Sequence, residues 1–212
     1  LLLNNMNINS TRKEYSKSRG FTKRDNDPFK IFKNWYKLAQ KEVSEPNAFA
    51  LSTSYKNKPI SRMMLLKEFD EKFLFFTNKS SKKGRDIKAN KFASILFWWK
   101  EIGKQVRIEG SLVELKIDDV KKYFYTRPFE SQIGALTSNQ SSEIGSYSQL
   151  KKKFFSNKKR FKDAKVPFPV NWTGYELNPS LFEFWQGGPY RLHDRLEFKK
   201  TKNLWKSRIL AP

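Results

Sequence analysis

Hydrophobic residues fall in short runs along the chain, and the changes in their spacing mark out the elements. The stretch DPFKIFKNWYKLAQKEV places Phe29, Phe32, Trp35 and Tyr36 on one stripe. With Asp27 as N-cap and Pro28 at the first helical position, it predicts a helix packed on something. After Pro46 come strand-like runs, AFALSTS, PISRMMLLKEF and KFLFFT, bounded by the turn chemistry of YKNKP and FDEK. Such short connections favour an antiparallel meander. NKSSKKGRDIKAN predicts a loop and then a short helix with a serine near its N-cap, and FASILFWW and KQVRIEGSLVELK predict two further strands. IDDVKKYFYTRP reads as a capped helix ended by Pro128, followed by a second helical stretch through ESQIGALTS and the polar NQSSEIGS. LKKKFFSNKKRFKDAK sets Leu150, Phe154 and Phe161 at helical spacing with lysines on the other faces. SLFEFWQG, YRLHDRLEFKK and LWKSRIL predict closing strands. Five or more strands with helices between and around them predict a mainly β fold with helices (α+β), a small antiparallel barrel with helical additions. The polar, aperiodic residues 1–27 predict a flexible N-terminal arm, and residues 28–212 a single domain.

Composition sharpens this picture by exclusion. A chain of 212 residues with 16% aromatics is long enough and apolar enough for one well-buried core. No run approaches the ~20 apolar residues that cross a bilayer, and the opening LLL passes at once into NNMNINS, so a cytoplasmic protein is expected. The absence of cysteine excludes disulfides, thiolate nucleophiles and cysteine-ligated metals. A single histidine, His193, excludes a histidine-rich metal site, and on a strand its neighbour Asp194 would face away from it, a poor start for a catalytic triad. No metal site is therefore expected. The net charge of +22 suggests polyanionic partners. The basic stretch from Leu150 to Lys165 reads either as a solvated helix face or as a nucleic-acid contact, because charge alone specifies no partner.

Positive charge also gathers where small anions could be held. If YRLHDRLEFKK is a strand, Arg191, His193 and Arg195 share one face, where they repel unless water or an anion lies between them. Both a solvated face and an anion site fit that spacing. Arg62 and Lys67, five apart, would point to opposite faces of a strand and could serve two different anions. Lys82 and Lys83 stand where a loop enters a helix, whose free backbone N–H groups favour phosphate. Tyr123 and Arg127 are at helical i, i+4 spacing with Ser131 beyond the proline, a phenol, a guanidinium and a hydroxyl that together could clasp phosphate.

FWQGG followed by RLHDR, together with RMMLLK, RPFESQIGA, NQSS and the terminal RILAP, resembles the pyridoxamine 5'-phosphate oxidase family, from about RKEYSK to Pro212. The resemblance implies an FMN-binding split β-barrel with peripheral helices, working as a homodimer with FMN sites at the subunit interface. It assigns Arg62, Met63, Lys67, Phe76, Thr77, Lys82, Lys83, Gln105, Gln140, Ser141, Trp185 and Arg195 to the flavin. It assigns Arg12, Tyr15, Lys67, Tyr123, Arg127, Ser131, Arg191 and His193 to the substrate, with Arg12 and Tyr15 in a lid and Arg191 and His193 as the catalytic pair. Lys82 departs from the pattern, since many members carry arginine there; the charge is kept and the bidentate geometry lost. The implied reaction converts pyridoxamine and pyridoxine 5'-phosphates to pyridoxal 5'-phosphate with O2 as acceptor.

That chemistry suits a chain without cysteine or metal ligands, because a bound flavin carries the redox step. Two phosphomonoesters would need two cationic clasps, which gives the odd spacing of Arg62 and Lys67 a use. Two rivals stand beside it: another flavin-binding split-barrel protein with a different substrate, and a basic nucleic-acid-binding module. The co-occurrence of RPFESQ and RLHDR speaks for the oxidase family, and nucleic acid is not expected as a partner.

Overall fold

The computed structural model describes residues 14–15, 20–21 and 26–212. Arg12, expected in the lid, lies outside the described residues. The elements are α1 (Pro28–Glu42), β1 (Ala48–Tyr55), β2 (Lys58–Leu65), β3 (Glu68–Phe69), β4 (Phe73–Asn78), α2 (Lys82–Ala89), β5 (Phe92–Trp99), β6 (Lys104–Glu114), α3 (Ile117–Thr126), α4 (Phe129–Thr137), α5 (Tyr147–Arg160), β7 (Trp172–Gln186), β8 (Asp194–Thr201) and β9 (Leu204–Leu210), with a 3-10 turn over Pro189–Arg191. This is the mainly β fold with helices that the hydrophobic pattern predicts. Among the described residues, no helix is long and apolar enough to cross a membrane. The described residues gather into two compact units, one drawn from the described residues up to 46 with 98–106 and 182–212, the other of residues 47–97 and 107–181.

In the larger unit the strand order is β2-β1-β5-β6-β7-β4-β3. The pairs β1–β2, β1–β5, β3–β4 and β4–β7 are antiparallel. Alternation along β1 and β4 sends Phe49, Leu51, Phe73 and Phe75 inward. Phe49 meets Phe75 at 5.8 Å and Phe97 at 5.5 Å between ring centroids, and burying each such ring contributes about 1.5–3 kcal/mol. A second cluster, Val120, Phe124, Ile133, Val166 and Trp172, is built by α3, α4 and the start of β7. Strand β7 begins eight residues before the expected SLFEFWQG run. Gly174 and Pro179 disguise its first half as turn. Gly174 is required there because an added Cβ would lie 2.7 Å from both Leu115 and the Phe76 ring.

In the smaller unit α1 is capped as expected, Asp27 Oδ1 accepting from the amides of Phe29 (2.9 Å) and Lys30 (3.2 Å). Phe29 and Trp35 meet Phe182 and Phe184 edge-on at 5.2 and 5.3 Å. β8 and β9 form an antiparallel hairpin that pairs with β7 through β8.

Candidate functional site

The larger unit carries a nest of cations around one carboxylate. β1–β2 register sets Arg62 opposite Leu51. Its guanidinium donates to Leu51 O at 3.2 Å and to Thr53 Oγ1 at 2.7 Å, and stands 3.7 Å from the Asp86 carboxylate. Asp86 is buried on α2, where it also accepts from Thr53 Oγ1 (3.2 Å) and Lys82 Nζ (2.5 Å). Lys83, one residue along, is only 7% exposed. Desolvation, and then the nearby Arg62 charge, hold the Lys83 ammonium below its ordinary pKa. Burial likewise lowers the Arg62 pKa, opposed by Asp86. Ser81 caps α2, its Oγ accepting from the Gly84 amide at 3.3 Å. Only glycine fits at position 84, because a Cβ would lie 2.3 Å from Lys79 O. Three cations at a helix start against one carboxylate leave an excess of positive charge, which suits a doubly ionised phosphomonoester.

A second feature of the same unit is a cleft of about 380 Å³ lined by residues that include Thr77, Arg127, Ser131, Gln140 and Trp172. Pro128 forces Arg127 out of helical geometry, at ψ 150°, so its side chain leaves the α3 surface instead of continuing it. The guanidinium then stacks 4.8 Å above the Trp172 ring. Its Nη1 is buried with no hydrogen-bond partner, a costly state that an arriving anion relieves. Desolvation depresses the Arg127 pKa, and it raises that of Tyr123 against the pull of Arg127. Tyr123 lies flat on Phe76, centroids 3.9 Å apart and planes within 7°. Thr77 Oγ1 donates to Gln140 Oε1 at 2.9 Å, and Ser141 follows in left-handed geometry at φ 70°. Lys67 is exposed in the link between β2 and β3 and does not line this cleft, and Met63 is exposed on β2. The break after Leu65 replaces the single strand expected through Lys67, so the opposite-face argument for Arg62 and Lys67 does not apply.

The smaller unit holds the remaining site candidates. Arg191, His193 and Arg195 do not share a strand face as expected. Tyr190 and Arg191 take left-handed φ values of 55° and 64° in a turn opened by Pro189, and β8 starts only at Asp194. The local sequence GGPY outweighs the strand pattern there. The turn places His193 Nδ1 where it accepts from the Gly188 amide at 3.1 Å, so a neutral ring carries its proton on Nε2. The imidazole is 4.7 Å from the Trp185 ring, and Tyr15 meets both edge-on at 5.7 and 6.1 Å. The Tyr15 ring occupies the space of missing Cβ atoms at Gly103 and Gly187, 2.8 and 2.4 Å away. Arg191 is exposed. Arg195 is committed to the buried Glu183, with Nε and Nη2 each 3.0 Å from one carboxylate oxygen, and to Ala211 O at 2.8 Å. Gln105 is half-buried on β6.

Several partners escaped the sequence reading. Asp86, Thr53, Trp172 and Glu183 are ordinary strand or helix residues in sequence, and only the fold brings them to the cations. Lys104 is another: it hydrogen-bonds Gln186, sits 4.0 Å over the Trp35 ring, and desolvation drops its pKa to about 8 against the pull of Asp194.

Comparison with known proteins matches residues 37–156 to the pyridoxamine 5'-phosphate oxidase family and residues 172–212 to the pyridoxine 5'-phosphate oxidase C-terminal dimerisation region. A pyridoxine/pyridoxamine 5'-phosphate oxidase of Cyanothece sp. is 41% identical over 98% of this chain and 99% of its own. That of Aliarcobacter butzleri is 44% identical over 98% of this chain and all of its own. Among solved structures, PhzG from Burkholderia lata in complex with tetrahydrophenazine-1-carboxylic acid superposes with a TM-score of 0.84 at 29% identity, covering 90% of this chain and 95% of its own. A pyridoxamine 5'-phosphate oxidase-related, FMN binding protein from Nostoc punctiforme superposes with a TM-score of 0.71 at 14% identity, covering 89% and 99%. The fold is therefore the split β-barrel type implied by the resemblance.

Proposed function

The chain belongs to the pyridoxamine 5'-phosphate oxidase family, and on that premise we propose that it oxidises pyridoxamine 5'-phosphate and pyridoxine 5'-phosphate to pyridoxal 5'-phosphate, with FMN as cofactor and O2 as acceptor. Hydrogen peroxide leaves in both cases, and ammonia from the amine. The observation that carries this reading is the buried, partnerless Arg127 Nη1 beside Ser131 in a cleft of about 380 Å³.

Arg127, Ser131 and Tyr123 are assigned to the substrate phosphate, with Lys67 supplying long-range charge. Arg62, Lys82 and Lys83 are assigned to the flavin phosphate. Their cationic excess over Asp86 fits such a group. Met63, Phe76, Thr77, Gln105, Gln140, Ser141, Trp185 and Arg195 are proposed to complete the flavin site, in a homodimer with FMN sites at its interface. FMN held by these residues would supply the redox chemistry, as acceptor of the hydride from substrate C4' with O2 as the final two-electron acceptor. Arg191 is exposed and forms no ion pair among the described residues, so its guanidinium can lie against the pyridine ring and hold C4' at reacting distance, about 3–3.5 Å. His193 keeps Nε2–H for the substituent on C4', since Nδ1 is held by Gly188. Tyr15 and Arg12 are proposed to exclude water from above.

The test is incubation with FMN in air and pyridoxamine 5'-phosphate or unphosphorylated pyridoxamine, following aldehyde and peroxide. We expect stoichiometric aldehyde and peroxide from the phosphorylated amine and a large loss in kcat/KM without the phosphate. Equal rates on both amines, or no peroxide, would overturn the assignment.

A further inference from the structure

The turn between β7 and β8 carries Arg191 and His193, and its backbone is strained: Tyr190 and Arg191 take left-handed φ values of 55° and 64° without being glycine. Such a conformation persists only where the surrounding structure over-determines it. Gln186 is the last residue of β7 and Asp194 the first of β8, so these two residues are the ends of the turn. Lys104, the first residue of β6, addresses both. We propose that Lys104 is a positioning residue for the oxidation: by tying down both ends of this turn, its ammonium fixes where Arg191 and His193 stand against the substrate. The inference rests on the reading that these two side chains meet the substrate.

The tie at the entry of the turn is direct. Lys104 Nζ donates to Gln186 Oε1, and alongside it the Gly187 amide donates to Gly103 O at 2.9 Å, so side chain and backbone together hold this point to β6. At the exit the Asp194 carboxylate attracts the same ammonium, while Asp194 Oδ2 accepts from the Gly20 amide at 3.1 Å. Between its ends the turn closes on itself. The Leu192 amide donates to Pro189 O at 2.9 Å, and the Gly188 amide to His193 Nδ1 at 3.1 Å. A displacement of Gln186 therefore moves Gly188 and loosens the bond that sets the tautomer and orientation of the imidazole. The Tyr15 ring, seated over Gly103 and Gly187, depends on the same junction. A positive charge is a costly occupant of this place. The ammonium sits 4.0 Å over the Trp35 ring, and desolvation lowers its pKa to about 8. An apolar side chain of similar length would pack there without that penalty. A stability cost accepted at a site is what a trade of stability for activity predicts.

The experiment compares the full-length protein with Lys104→Met and Lys104→Arg near neutral pH, where Lys104 is charged. It reads steady-state kinetics on pyridoxamine 5'-phosphate with FMN saturating, FMN affinity, Tm, and the nitrogen NMR signals of the imidazole. His193 is the only histidine of the chain, so its two ring nitrogens report the tautomer without assignment. In the unsubstituted protein Nδ1 is expected to be the unprotonated nitrogen. Lys104→Met should lower kcat by about 10–100-fold, the scale of an ångström-sized misplacement, and leave KM and FMN affinity within about threefold. It should also shift the ring nitrogens towards a mixture of tautomers without lowering Tm. Lys104→Arg, which returns the charge and the donor, should recover kcat to within about threefold. Unchanged kcat in Lys104→Met overturns the inference and leaves the oxidase reading standing. So does an FMN affinity that falls in step with kcat, which routes the effect through the neighbouring Gln105 and the flavin, and so does a lowered Tm that Lys104→Arg restores without restoring kcat. No aldehyde from the unsubstituted protein overturns the oxidase reading and this inference with it.

Discussion

Arg127 is the residue whose environment says most about function. Its buried Nη1 lacks a partner, and its stacking on Trp172 fixes the fork, so Arg127→Lys keeps charge and loses geometry. We expect Arg127→Lys to lower kcat/KM for the phosphorylated substrate by about 10–100-fold, the range of a lost hydrogen bond to a charged group, with FMN affinity unchanged. Steady-state kinetics beside a flavin titration check this, and equal losses in both would place Arg127 elsewhere. Arg191→Ala should cut turnover while FMN stays bound, because among the described residues no hydrogen bond or ion pair ties Arg191 to those assigned to the flavin; a variant with normal turnover would defeat its assignment. Lys104 bears on stability. Its folded pKa of about 8 lies below the ordinary 10.5, so the unfolded chain binds the extra proton between those values and stability rises with pH across that window. Below pH 8 the buried charge is a full liability. Lys104→Met should therefore raise Tm most at or below neutral pH, and its advantage over the unsubstituted protein should shrink between pH 8 and 10.5; a constant difference would show that Lys104 is not desolvated. This residue was illegible in sequence, one lysine among many, because its burial depends on Trp35 and Gln186, which are distant in the chain.

At the scale of elements, short-range chemistry was readable and correctly placed. Asp27 and Pro28 start α1, Ser81 starts α2, and Pro128 separates α3 from α4. The same proline also turns Arg127 off the helix, so one local rule fixes both an element boundary and a site residue. Alternation misled at Pro189, where it suggested a strand and the local GGP turn chemistry prevailed. Gly84 carries the testable consequence. Gly84→Ala drives a methyl into the Lys79 carbonyl, and the start of α2, with Lys82 and Lys83, must shift. We expect a loss of about 1–3 kcal/mol in stability from overpacking and a marked drop in FMN affinity. Thermal unfolding and flavin titration read the two effects, and retention of both would mean that the helix start is not the phosphate seat.

For the whole molecule, the dominant quantity is the net charge of +22. The C-terminal match to a dimerisation region supports a homodimer, so two strongly positive subunits must associate against their mutual repulsion. Salt shortens the reach of that repulsion from about 30 Å at 0.01 M to about 8 Å at 0.15 M. Sedimentation should therefore show a species of twice the 25.2 kDa chain mass, tightening as salt is raised over that range. A monomer at all salt concentrations, or a dimer weakened by salt, would contradict this account. The same charge suggested nucleic acid from composition alone. Part of the surplus is spread over exposed helix surface such as α5, which buries no residue, and part over the cation nest at α2.

The sequence by itself determined the order and kind of most elements, the caps of α1 and α2 but not the cap expected on α3, whose N-cap Lys116 makes no side-chain hydrogen bond, and it carried the motifs that mark the family. These are short-range properties: periodicity, proline, and N-cap oxygens act within a few residues. Tertiary structure alone decided which cation meets which partner. Arg62 finds Asp86, Arg127 finds Trp172 and Arg195 finds Glu183 only once helices and strands distant in sequence pack together, and for Arg62 and Arg195, which lie on strands, a one-residue register slip would send the side chain to the other face. Which arginine is left with an unmet donor in a cleft, and which is tied to a buried carboxylate, is therefore a property of the folded chain.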